Sequence, residues 1–252
     1  MFLSSDVLQH RLPSRGNFPD KIHTVQIGVD FRIANNRCVC YYNIKTKKVG
    51  GFMTEFTYET NDTSRNLERF EWDNVWWEQT ANETSKRILY IGDSISCGTR
   101  RLITSLSKSE ILCDGFGTSK ALDNPYFKSS LELFMKQQNK CDAILFNNGL
   151  HGWHLSNEEY EKCYDDMLLF LLKAEKPIFI VLTTDDISSQ RHNEVVKTRN
   201  KVAKILAQKY HLPVIDLYTV ATSNSECHVP DGVHFNAMGY ELLAKCILES
   251  IC

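Results

Sequence analysis

The chain from residue 87 onward alternates short apolar runs with longer segments of helical periodicity. Five runs are short, apolar and bounded by polar or turn-forming residues, as buried strands are: 87–92, 110–113, 143–147, 177–183 and 213–217. Between them, apolar residues recur every three or four positions, as on one face of a helix. Strand–helix alternation predicts a parallel sheet covered on both faces, and five strands suit a flavodoxin-like order. We therefore predict a three-layer α/β/α domain over residues 86–252.

Residues 1–85 follow a different pattern. They are rich in Asn, Thr and aromatic residues, and the segments Thr24–Arg32 and Cys38–Ile44 alternate as strands do. We predict a small β-rich N-terminal extension over residues 1–85. Three tryptophans lie near its end: Trp72, Trp76 and Trp77. We expect this aromatic cluster to pack the extension onto the main domain rather than to bind a ligand.

Composition and charge exclude several classes of protein. The chain is 42% hydrophobic with a net charge of -2, so no basic surface for nucleic acid or anionic membrane is expected. It contains no apolar run long enough to span a membrane, and Met1–His10 lacks the features of a secretory signal. The nine cysteines, an odd number, predict reduced thiols and a cytoplasmic location.

No cofactor and no metal are expected. Cys38-x-Cys40 is too closely spaced for a zinc knuckle, and no second cysteine pair matches it. His151 and His154 stand in a glycine-containing segment with no carboxylate to complete a metal site. The oligomeric state is left open.

The first predicted strand runs directly into Gly92-Asp93-Ser94. Glycine allows a sharp turn there, and the serine would then open the next helix with its hydroxyl at the rim of the sheet. A helix N-terminus also presents backbone N–H groups that can stabilise an anion. The same residues equally permit Ser94 to be an ordinary N-cap.

A second motif lies between the last predicted strand and the last helix. Asp231 and His234 stand three positions apart there, so the carboxylate can hold imidazole Nδ1 while Nε2 faces a serine. A turn histidine beside a capping aspartate is the structural alternative. Because both motifs reach the carboxyl edge of one sheet, we predict a catalytic triad of Ser94, His234 and Asp231.

Gly92-Asp93-Ser94 near the start of the domain and Asp231-x-x-His234 near its end resemble the SGNH/GDSL hydrolase superfamily. The resemblance covers roughly residues 86–252. It implies that the serine attacks an ester carbonyl and that its backbone N–H helps to hold the oxyanion. A glycine after the second strand and an asparagine after the third supply the other donors in this family. Gly117 best matches the glycine, with Gly115 or Ser119 as neighbouring alternatives.

The segment after the third strand departs from the family pattern. Where the family has G-x-N-D, His151 stands at the position of the asparagine. Either His151 donates through a ring N–H, or Asn148 takes over, or catalysis is impaired. Asn147-x-Gly149-x-His151 also resembles the related acyl-esterase and polysaccharide O-acetyltransferase branch, which favours a working variant. Trp153 is a candidate wall of the acyl or sugar pocket, with a core position as the alternative.

The sequence thus predicts a serine esterase that acts through an acyl-enzyme. Its expected substrate is a small-molecule or carbohydrate ester with a short acyl group, acetyl being favoured. Two alternatives stay open: an O-acyltransferase that uses the same triad, and a binding protein of this fold with impaired catalysis. Cys97, one turn beyond Ser94, is a weaker candidate nucleophile because we expect it to point into the buried side of the helix.

Overall fold

The computed structural model describes residues 26–34, 37–45, 68 and 70–252. The chain divides into two compact units, the first ending at Glu55 and the second beginning at Phe56. In the first unit, β1 (Gln26–Ala34) and β2 (Arg37–Lys45) form an antiparallel pair. These strands cover nearly the same residues as the two segments whose alternation predicts strands.

The second unit is built on a six-stranded sheet. Its strands are β3 (Asp73–Trp76), β4 (Lys86–Gly92), β5 (Ile111–Thr118), β6 (Ala143–Phe146), β7 (Ile178–Val181) and β8 (Val214–Ile215). The order across the sheet is β3-β5-β4-β6-β7-β8, and the strands from β4 to β8 are parallel. The five predicted strands and their flavodoxin-like order are therefore confirmed.

Six α-helices connect and follow these strands in the described part of the chain. They are α1 (Ser94–Leu106), α2 (Phe127–Gln138), α3 (Asn157–Leu172), α4 (Gln190–Lys209), α5 (Leu217–Ser223) and α6 (Ala237–Ile251). Local signals set their starts, as at α3, where Ser156 and Glu159 form a reciprocal capping box. None of the helices in these described segments is long and apolar enough to cross a membrane.

Two hydrophobic clusters, one on each face of the sheet, hold the three layers together. The strands alternate between them: in β4, Leu89 and Ile91 belong to one cluster, whereas Ile88 and Tyr90 belong to the other. Helices α2 and α3 and most of α4 pack in the first cluster, and α1, α5 and α6 pack in the second. This packing leaves the carboxyl ends of the parallel strands free to carry the loops of a functional site.

The sixth strand comes from the segment that sequence patterning assigns to the N-terminal extension. β3 pairs antiparallel with β5 at the edge of the sheet, and the Trp77 ring stacks on Phe134 of α2 with centroids 5.0 Å apart. The predicted boundary after residue 85 therefore differs from the observed division, because backbone pairing and aromatic packing join this segment to the main unit.

The cysteines of the second unit are free thiols. They are Cys97, Cys113, Cys141, Cys163, Cys227, Cys246 and Cys252. The side chains of Cys38 and Cys40 lie outside the described part of the structure.

Candidate active site

Ser94 is the first residue of α1, directly after the turn that ends β4. Asp93 is the N-cap, and its side chain accepts the Ile95 N–H at 2.9 Å. The capping role that the sequence also allowed for Ser94 therefore belongs to Asp93. Gly92 is required by the tight turn, because a Cβ at this position would lie 2.8 Å from the Ser96 Cβ. The Ser94 N–H is among the first N–H groups of the helix, which have no partner inside it.

The three residues predicted as a triad form a continuous chain of short contacts. Ser94 Oγ lies 2.8 Å from His234 Nε2, and His234 Nδ1 lies 2.8 Å from Asp231 Oδ2. The imidazole thus has one nitrogen on the hydroxyl and the other on the carboxylate, which is the geometry that a nucleophile, a base and an orienting carboxylate require. The His234 side chain is 41% exposed and that of Asp231 is 50% exposed, so the site is open to solvent.

Asp231 is held as a carboxylate by several donors. Its Oδ1 accepts the backbone N–H groups of His234 and Val233, each at 2.9 Å. These backbone hydrogen bonds, followed by the hydrogen bond to the His234 side chain, lower the pKa of Asp231 to about 2. The carboxylate is therefore ionised across the neutral pH range and accepts a hydrogen bond from Nδ1–H of the imidazole.

Backbone hydrogen bonds fix the loop that carries Asp231 and His234. The Val229 N–H donates to His234 O, and the Gly232 N–H donates to Val229 O, both at 2.9 Å. From the loop after β7, the Ile187 N–H donates to Gly232 O at 2.9 Å. The two loops are thus joined at Gly232, the first of the two residues between the aspartate and the histidine.

Glycine is strongly favoured at position 232. Its φ is +73°, a conformation that L residues rarely adopt, and a Cβ would lie 2.7 Å from the backbone N of Ser188. The short spacing of Asp231 and His234 thus depends on a glycine that the loop after β7 packs against.

The structure places Gly117 beside the turn that carries Ser94. Gly117 is in register with Gly92 across the parallel β4–β5 pair. A Cβ at Gly117 would lie 2.3 Å from Cys97 Sγ, so the thiol of the second turn of α1 lies against this glycine. Burial raises the pKa of the Cys97 thiol, which keeps it protonated and a poor nucleophile.

The segment after β6 lies on the other side of the turn, since the Asn147 N–H donates to Ile91 O at 2.9 Å. Asn148 is buried, its side-chain NH2 donates to Lys120 O at 3.0 Å, and its backbone carbonyl accepts a hydrogen bond from Tyr160 OH. His151 is more accessible, with 20% of its side chain exposed. Of the two candidate donors, His151 is therefore the one that meets solvent more freely.

Trp153 packs on α4. Its ring stacks on His192 with centroids 4.4 Å apart, and the Arg199 guanidinium lies over the ring at 5.2 Å from the centroid. These contacts account for the half-buried position of the tryptophan. Its role as a pocket wall stays a prediction.

Comparison with solved structures bears on the fold. A lipolytic protein of the G-D-S-L family from Veillonella parvula is similar with a TM-score of 0.57 and 19% identity, over 66% of this chain and 98% of that one. An acetyl xylan esterase is similar with a TM-score of 0.54 and 16% identity, over 66% and 100% of the two chains. The fold is that of the SGNH/GDSL hydrolases.

A third similar structure is the C-terminal catalytic domain of peptidoglycan O-acetyltransferase A from Streptococcus pneumoniae. It has a TM-score of 0.54 and 16% identity, over 66% of this chain and 93% of that one. By sequence, neither a family model nor a curated protein matches the chain.

Two charged residues that contact the segment after β6, Arg199 and Glu68, were not predicted from the sequence. Arg199 lies on α4 and donates hydrogen bonds to backbone carbonyls of the segment after β6. One signal was available, because Arg199 falls on the apolar stripe of α4 between Val196 and Ala203. Glu68 lies before β3, outside the predicted domain, and no local pattern marks it.

The described residues contain no group of three or more His, Cys, Asp or Glu side chains that could hold a metal ion. His154 instead contacts a single carboxylate, with Nε2 at 2.9 Å from Asp123 Oδ2.

Proposed function

We propose that this protein is a serine ester hydrolase, with Ser94 as nucleophile, His234 as general base and Asp231 as the carboxylate that orients the histidine. The observation that carries the proposal is the pair of 2.8 Å contacts from Ser94 Oγ through the imidazole to Asp231. A serine hydroxyl is a weak nucleophile unless an adjacent base accepts its proton. His234 has the position for that task, and Asp231 favours the tautomer with the proton on Nδ1.

The proposed reaction proceeds in two halves. Ser94 Oγ attacks the ester carbonyl carbon while its proton passes to His234 Nε2. The tetrahedral intermediate then collapses, the bond to the alcohol oxygen breaks, and Nε2 returns the proton to the departing alkoxide. In the second half, water attacks the acyl-enzyme through the same base, which releases the acid and restores Ser94.

Negative charge develops on the carbonyl oxygen in both halves and requires hydrogen-bond donors. We assign this role to the Ser94 N–H, to Gly117 and to His151. Gly117 flanks the nucleophile turn through its register with Gly92, and His151 follows the strand on the opposite side. Donors of this kind contribute roughly 3–4 kcal/mol each to transition-state stabilisation.

For the substrate, we propose a carbohydrate or small alcohol that carries a short acyl group, with acetyl favoured. Proteins described as an acetyl xylan esterase and as a peptidoglycan O-acetyltransferase share the fold, which supports this class without identifying the alcohol. Transfer to a sugar hydroxyl is the second candidate. The exposure of His234 permits transfer, because an acceptor hydroxyl can approach the base by the route that water takes.

The experiment combines active-site labelling with hydrolysis of p-nitrophenyl esters of increasing acyl length. We expect a fluorophosphonate probe to label the wild type, with hydrolysis fastest for the acetyl ester. The Ser94→Ala variant should not be labelled, and its kcat should fall about 10^6-fold. Cys97→Ala, one turn along the same helix, is the matched control and should keep both labelling and kcat.

Ser94→Ala with more than a few per cent of wild-type activity would refute the assigned nucleophile. Product analysis on an acetylated oligosaccharide, with and without an added sugar acceptor, separates hydrolysis from transfer. An acetylated acceptor among the products would indicate transfer, whereas free acetate as the only product would indicate hydrolysis.

A further inference from the structure

Arg199 is a buried cation that binds the segment after β6. It is only 2% exposed, and its guanidinium donates to three backbone carbonyls: Gly149 O at 3.0 Å, His151 O at 2.6 Å and Gly152 O at 2.6 Å. Each acceptor belongs to the short stretch 149–152, which contains the candidate oxyanion donor. A single side chain of α4 thus fixes the path of this loop.

The remaining contacts of Arg199 are aromatic. Its guanidinium lies 4.5 Å from the centroid of the Tyr160 ring and 5.2 Å from that of Trp153. In the part of the chain that the structure describes, Arg199 forms no ion pair, and burial lowers the pKa of its guanidinium. Burying a cation without a carboxylate in direct contact is costly, and the three carbonyls together with the nearby charge of Glu68 offset that cost.

Glu68 contacts the same loop from its other side. Its Oε1 accepts the Gly152 N–H at 2.5 Å and lies 3.9 Å from His151 Nδ1. The Gly152 N–H and His151 O belong to one peptide group. Arg199 therefore holds the oxygen of this peptide while Glu68 holds its N–H, which fixes the orientation of the peptide plane that follows His151.

We propose that Arg199 and Glu68 are positioning residues that hold the 149–152 loop so that His151 reaches the oxyanion of the transition state. This inference rests on the proposed esterase function. Neither residue is assigned a contact with substrate; both act through the backbone. A displacement of about 1 Å in a group that contacts the reacting atoms can cost about 10^2 in rate, so a loosened loop should be visible in kcat.

The first test is Arg199→Lys, which keeps the charge and removes the planar fork that spans three carbonyls. We expect kcat on p-nitrophenyl acetate to fall about 10- to 100-fold while KM stays within about twofold, the pattern of an interaction made in the transition state. Leu206→Ala is the matched control, because Leu206 is buried on the same helix and packs in the core. It should lower the melting temperature and leave kcat near the wild-type value.

The second test exploits the one hydrogen bond that the Glu68 carboxylate accepts from the described residues, which comes from the Gly152 N–H. Glu68→Ala removes the acceptor and should lower kcat about tenfold. Glu68→Gln retains an oxygen that can accept the Gly152 N–H, so it should restore kcat to within about threefold of the wild type. Glu68 lies on the surface side of the loop with 20% of its side chain exposed, so both variants should fold.

Three results would overturn the inference. The first is an unchanged kcat in Arg199→Lys, and the second is a loss of kcat in Leu206→Ala equal to that in Arg199→Lys when the two variants have similar melting temperatures. The third is a Glu68→Gln variant that is as slow as Glu68→Ala. If the proposed function were wrong, the result would be different: the Ser94→Ala variant would still hydrolyse the ester. A wild type that hydrolyses no ester would refute both, since no reaction would remain for the loop to support.

Discussion

The substitution Asp231→Asn tests the proposed orienting carboxylate at the level of single hydrogen bonds. Asp231 Oδ1 accepts two backbone N–H groups, from Val233 and His234, so the asparagine oxygen must take that position. The asparagine NH2 then occupies the position of Oδ2, 2.8 Å from His234 Nδ1. An NH2 group only donates, so Nδ1 must become the acceptor and the imidazole proton must move to Nε2.

This change of tautomer would disable the proposed base, His234. With its proton on Nε2, His234 faces Ser94 Oγ with a donor and cannot accept the hydroxyl proton. The same exchange in a serine protease triad lowers kcat by about 10^4, which corresponds to about 5.5 kcal/mol of activation free energy. We expect a loss of that size here. The fold should persist, because the asparagine oxygen keeps both backbone hydrogen bonds.

The assay is kcat for p-nitrophenyl acetate near pH 7.5, with circular dichroism as the control for folding. A loss of less than tenfold in a folded variant would refute the assignment of Asp231. The lowered pKa of about 2 adds a check on the wild type. A depressed carboxyl pKa stabilises the native state above the ordinary pKa near 4, and this contribution disappears as the pH falls through about 2. Loss of activity between pH 4 and 7 must therefore arise from another group.

Two further substitutions probe the loops around the proposed triad. Gly232→Ala imposes a side chain at a φ of +73° and against the backbone of Ser188, so we expect about 1–3 kcal/mol less unfolding free energy and a lower kcat. Unchanged denaturation and kinetics would contradict the role assigned to this glycine. His151→Ala should lower kcat about 10^2-fold with little change in KM, and His151→Asn should recover part of that loss. A raised KM with normal kcat would assign His151 to the pocket wall instead.

The main sheet and the three triad candidates could be predicted because each leaves a local signal. Ser94 follows an apolar strand through a glycine turn, and His234 lies three residues after Asp231 before an amphipathic helix. In a parallel sheet, strand ends that are distant in sequence meet at one edge. This topological rule is sufficient to bring residues 140 positions apart to within 2.8 Å.

The edge strand β3 could not be predicted from its pattern. Its four residues are mostly exposed, so they do not form the apolar run or the clear alternation that marks the other strands. The strand exists because β5 offers it a free backbone edge. A strand that forms only because a neighbouring strand has a free edge needs no periodic pattern in its own sequence.

Arg199 and Glu68 show a second limit, which concerns contacts to backbone atoms. Their acceptors and donor are peptide groups of the 149–152 loop, and any residue type offers the same carbonyl and N–H. Residue identities in the loop therefore carry no trace of the charged side chains that hold it. The informative feature is a cation at a buried helical position, which demands compensating acceptors somewhere in the fold. A buried cation on a helix predicts that its side chain holds some loop through backbone carbonyls, but it does not indicate which loop. The packing of α4 against the segment after β6 identifies that loop.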